Sequence, residues 1–127
     1  MNNKIRLGLI FLGLLSSIST YACSKIESSS ERLNCQKAVE DESESNMQKS
    51  YSGLYEYLSY IEGYQKQIVL SQELWSKSAH KNCDVYSYFV EEGTIVYDIT
   101  FSGCMTEGYK NRDKFLTHLR SVVEQFY

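Results

Sequence analysis

Four cysteines constrain this chain more than any other feature: Cys23, Cys35, Cys83 and Cys104, with no fifth to leave an odd thiol. In a small exported domain an even count reads as two disulfides, for which three connectivities exist. Spacing selects among them. Cys83 and Cys104 are centred on Glu91-Glu92-Gly93-Thr94, the best turn signal in the sequence. Two antiparallel arms joined there, helices or strands, bring these cysteines level with each other. Cys23 and Cys35 then pair by default and tie down the N-terminal end. A zinc site is the competing use of cysteine. It wants close pairs such as CxxC, whereas the gaps here are 12, 48 and 21 residues, with only His80 and His118 to add imidazole. We therefore expect no metal and no other cofactor. A catalytic cysteine is equally out of place in an oxidising compartment with an even count.

The N-terminus supplies the argument for export. Lys4 and Arg6 precede an apolar run from Leu7 to Leu15, and Thr20-Tyr21-Ala22 ends it with small residues at −3 and −1. Residues 1–22 read as a secretory signal peptide, too short for a membrane span of roughly 20 apolar residues. The expected destination is the periplasm or the exterior. A lipid anchor on Cys23 is disfavoured, because Thr20-Tyr21 suits a lipobox poorly and lipidation would leave one of the other three cysteines unpaired. The mature part, 23–127, is one small domain with no visible linker or repeat. It holds eleven basic and sixteen acidic residues, a formal charge of −5. That balance argues against nucleic acid, whose phosphates such a surface repels.

Periodicity predicts mostly helix. Ser28-Ser29-Ser30-Glu31 is a helix-start signal. Met47, Tyr51, Leu54, Leu58 and Ile61 recur at spacings of 4, 3, 4 and 3, and Tyr64, Ile68 and Trp75 continue the phase with Ser71 as the polar interruption. Gly63 inside this run predicts a bend or a turn into a second helix. Leu116, Leu119, Val123 and Phe126 mark an amphipathic C-terminal helix, with Asp113 and Arg120 off its stripe. Residues 85–101 conflict. Ile95, Tyr97, Ile99 and Phe101 alternate with Thr94, Val96, Asp98 and Thr100, so residue propensity alone reads a β-hairpin there and an α+β fold.

A set of motifs reverses that choice. Ser71-Gln72-Glu73-Leu74-Trp75 is followed eight residues after the tryptophan by Cys83, then by Gly93-Thr94, Cys104, and Arg112 eight residues beyond it. Upstream stand Cys23-Ser24-Lys25, Cys35, and the run Met47 to Leu54. This order resembles the lysozyme inhibitor LprI-like N-terminal domain family, small exported bacterial domains with a QxxW helix and four cysteines. The resemblance spans nearly all of 23–127. It implies an all-α antiparallel bundle, cross-linked near both ends by two disulfides. It further implies Trp75 as a core anchor with Gln72 beside it, Cys83–Cys104 tying two helices across the Gly93 turn, and Arg112 on the last helix within reach of an acidic group. The chain departs from the family pattern twice. Ser78-Ala79-His80 stands where relatives carry an aromatic-Arg-Asp triplet, and Gln48 stands where they favour Asn.

Candidate contact residues each have a second reading. Trp75 is in phase with Ile68 and Leu58, which favours the core over an exposed platform. Tyr55, Tyr57 and Tyr60 step off the apolar stripe and could form a docking face, or line a core with their hydroxyls in water. His80 and Lys81 could enter the acidic cleft of a glycosidase, or sit solvated on the helix leading to Cys83. Glu40, Asp41, Glu42 and Glu44 could attract a basic partner, or form a solvated helix face. The chain has no GxSxG, HExxH or glycine-rich phosphate loop, and its clustered carboxylates are neighbours only in sequence. We read a binding protein rather than an enzyme: an inhibitor with a protein partner such as a cationic lysozyme. The alternative is an envelope structural or assembly factor that binds another exported protein.

Overall fold

The computed structural model describes residues 23–126. The expected signal peptide therefore lies outside the described residues. Three long helices make up the domain: α1 (Ser29–Tyr57), α2 (Glu62–Tyr86) and α3 (Ile95–Val123), with a 3-10 turn at Leu58–Tyr60 between the first two. The all-α expectation holds and no strand occurs among the described residues. Both disulfides have the expected partners, Cys23–Cys35 and Cys83–Cys104.

Local chemistry starts and stops each helix. The Ser28 hydroxyl accepts from Glu31 N–H and begins α1 where the serine run predicted. The bend anticipated at Gly63 falls just before it, at Leu58–Ile61. In the α2–α3 loop Gly93 takes a positive φ of 82°, which an L side chain rarely adopts. Thr94 then caps α3: its Oγ1 donates to Glu91 O at 2.7 Å and accepts from Tyr97 N at 3.2 Å. This cap is why 95–101 is helical despite its alternation. In the helix, Tyr97 and Phe101 are i, i+4 neighbours with ring centroids 5.9 Å apart, while Ile95 and Val96 face solvent.

Alternating turns make α2 antiparallel to both α1 and α3, so α1 and α3 run the same way. These two parallel helices form the closest pair. Their seam is made of small and polar residues: Glu40 accepts from Ser102 Oγ at 2.6 Å, and Gln36 Nε2 donates to Thr106 Oγ1 at 3.0 Å. Ser43 and Thr106 each turn their hydroxyls back to a carbonyl four residues earlier, which satisfies them inside the seam. Met47, Leu54, Leu58, Ile68, Met105 and Leu116 form the core between the three helices.

One implication of the resemblance is corrected by this register. Glu40 lies level with Ser102, so Cys35 and Cys104 belong to the same half of the bundle, the half holding the α2–α3 loop. The disulfides do not bracket the two ends. The far end is closed by packing and by Arg120, whose Nη1 donates to Gly53 O at 2.9 Å while its guanidinium lies 3.8 Å from the centre of the Tyr57 ring.

Candidate functional site

Because α1 hugs α3 through small residues, α2 is left splayed from α1, and a cleft of about 370 Å³ opens between them. Its floor is Met47 and Tyr109; its walls bring Glu44 and Gln48 of α1 to face Trp75 and His80 of α2. Trp75 is half-buried rather than fully enclosed, and its ring centroid is 5.9 Å from that of Tyr109. Burial pushes the Tyr109 hydroxyl up to about 12, helped by the negative charges of Glu44, Glu40 and Asp41. The acidic run of α1 thus projects its field into the cleft.

Behind the cleft the QxxW residues and Arg112 form one cluster. Gln72 Oε1 accepts from Arg112 Nε at 3.0 Å, its Nε2 points to Met47 Sδ at 3.1 Å, and Ser71 Oγ accepts from Arg112 Nη2 at 3.0 Å. The guanidinium lies 5.5 Å from the Trp75 ring centre and 4.8 Å from that of Phe115. Arg112 is buried, and its hydrogen bonds go to neutral oxygens, not to the acidic group anticipated for it. Burial lowers its pKa accordingly. Spacing explains the arrangement: residues 71, 72 and 75 share one face of α2 and present it to a single long cation on antiparallel α3.

The six residues considered for partner contact do not form one surface. Glu44 and His80 meet at the cleft. The His80 ring is exposed, bonds Ser76 O through Nδ1 at 3.1 Å and lies 6.1 Å from the Phe101 ring centre. Glu40 is largely withdrawn into the α1–α3 seam, where it holds Ser102 and pairs with Lys37 at 2.9 Å. Asp41 and Glu42 are exposed beside it. Lys81 is exposed outside the cleft, 3.7 Å from Asp84. Among the off-stripe tyrosines, Tyr57 is covered by Arg120, while Tyr60 is exposed at the turn. At the altered triplet, Ala79 is buried against Gly108.

Sequence patterns marked the α2–α3 loop as a turn but gave no contact role to its aromatics, among them the most exposed phenylalanine described, Phe89, beside Tyr88. Two signals could have found it. These aromatics sit in no helical phase, and no basic residue occurs between Lys81 and Lys110.

The domain is a disulfide-tied, all-α three-helix bundle. No family model, curated protein or solved structure matches the chain.

Proposed function

We propose that this chain is an exported, disulfide-stabilised binding protein that inhibits a lysozyme-type glycosidase. The observation that carries the reading is electrostatic. Residues 23–127 carry a formal −5, which steers the domain towards a strongly basic enzyme. The motif order that resembles the LprI-like domains supports the same reading, as do two disulfides that suit an oxidising compartment. No described helix is long and apolar enough to cross a membrane, and the Cys23–Cys35 bond occupies the sulfur a lipid on Cys23 would need. The catalytic cleft of such an enzyme holds two carboxylates, and the exposed His80 and Lys81 are the side chains suited to meet them.

The test is a turbidity assay of a basic lysozyme on cell walls with the purified exported protein. We expect dose-dependent slowing of clearance that weakens as salt rises. Undiminished lysis at micromolar protein and low salt overturns the reading, and the assembly-factor function then takes its place.

A further inference from the structure

The α2–α3 tip, residues 84–96, combines three properties that suit a contact surface. The first is apolar exposure. Phe89 is 97% exposed, Tyr88 78% and Tyr86 71%, flanked by exposed Val85 and Val96. Large aromatic surface left in water is costly and marks contact sites when it is contiguous. The outward splay has a local cause: Ser87 is fully buried, so its neighbours must point away from the bundle.

The second property is rigidity. The Cys83–Cys104 bond clamps the base of the loop. Ser87 N bonds Cys83 O, Val90 N bonds Ser87 O, and Thr94 caps α3 after the positive-φ Gly93. Tyr88 and Phe89 pack edge to face with centroids 5.3 Å apart. The backbone that carries the pair is thus fixed before binding, which lowers the ordering cost of docking.

The third is charge. Residues 82–109 contain Asp84, Glu91, Glu92, Asp98 and Glu107 and no Lys or Arg, a formal −5, of which Asp84 and Glu107 are paired with Lys81 and Lys110 at the edges of the stretch, at 3.7 and 3.3 Å. The rest of 23–127 balances to zero. The aromatic knob therefore projects beside a carboxylate collar made by the exposed Glu91, Glu92 and Asp98.

We propose that this tip is the docking element for a cationic protein, with Tyr88 and Phe89 entering an apolar pocket whose rim is basic. The proposal rests on the binding-protein reading and assigns its contact surface to the loop rather than to Glu40–Glu44. Charge decides between occupants. An anionic lipid surface repels the collar, and so does the equally acidic tip of a second copy. A Lys- and Arg-rimmed pocket complements it.

The test is binding of the exported full-length product to two probes, a basic lysozyme and a basic ribonuclease of similar size, by interferometry at low salt. Y88A/F89A is compared with Y60A, which removes an equally exposed tyrosine (96%) at the opposite end. All three side chains lie largely in solvent, so unchanged melting temperatures verify that each variant folds. We expect at least a tenfold weaker Kd for Y88A/F89A and no change for Y60A. If lysozyme binds and Y88A/F89A binds equally well, the docking proposal fails while the inhibitor function stands. If only the ribonuclease binds, through the tip, the docking proposal stands and the inhibitor function fails. If neither probe binds at 100 µM, the docking proposal fails. Self-association abolished by Y88A/F89A, or flotation with phosphatidylcholine vesicles, also overturns it.

Discussion

At the residue scale, the buried polar positions were the hardest to read. Gln72 and Arg112 stand out as a motif in the sequence, but their meeting across two antiparallel helices is a tertiary fact. Arg112 is held by amide, hydroxyl and aromatic faces rather than by a carboxylate, and no local pattern announces that. Glu40 misleads in the opposite direction: within Glu40-Asp41-Glu42-Ser43-Glu44 it looks solvated, yet register turns it and Ser43 into the seam. Tyr109 offers a test of this polar interior. Its hydroxyl titrates near 12 in the fold and near 10 in the unfolded chain. A raised folded pKa means that its stabilising contribution is complete below pH 10 and is lost as pH climbs from 10 to 12. We expect stability to fall across that window and the fall to be shallower in Tyr109→Phe, as measured by urea unfolding at stepped pH. Equal slopes for the two proteins would remove Tyr109 as the cause.

At the scale of elements, most of the architecture was legible. Cysteine spacing about Gly93 predicted the α2–α3 crosslink, the serine run predicted the start of α1, and Leu116, Leu119 and Val123 of the C-terminal stripe predicted the core face of α3, whereas Phe126, placed on the same stripe, lies beyond the helix end and is exposed. Bare propensity misread 94–101, because period-two alternation and an i, i+4 aromatic pair coexist there. The Thr94 cap and the fixed Cys104 favour the helix. The two disulfides sit in one half of the bundle but do different work. Each closes a loop that constrains the unfolded chain by about 3 kcal/mol in the chain-entropy model. Cys83–Cys104 also joins two core helices, whereas Cys23–Cys35 ties a lead-in segment that Arg32 already grips through Ile26 O. Replacing Cys83 and Cys104 together with alanine should therefore lower Tm by several degrees more than replacing Cys23 and Cys35. Equal melting temperatures in calorimetry would show the lead-in to be as integral as the hairpin.

At the scale of the whole molecule, charge is distributed along the bundle axis. The half containing the tip, residues 23–46 and 75–109, has eleven acidic and five basic residues, a formal −6. The opposite half, residues 47–74 and 110–127, has five acidic and six basic residues, a formal +1. The exposed carboxylates of α1, Asp41 and Glu42, thus reinforce the collar around Phe89 because α1 and α3 run parallel. Such a distribution orients the domain during approach to a cationic partner, so that the tip leads. Exposed charges act over a Debye length of about 8 Å at physiological salt, so the effect is chiefly on the association rate. Neutralising the tip half with D41N/E42Q/E91Q/E92Q should slow association with a basic lysozyme roughly tenfold at low salt, with little change in dissociation. An equal number of substitutions would not give a fair comparison at the far end, where acids are few. E56Q/E62Q there against E91Q/E92Q at the tip matches charge for charge. If both pairs slow association equally, net charge alone does the steering and the axial asymmetry is without consequence. A slower rate only for the tip pair, fading as salt rises, means that the domain presents one end to its partner.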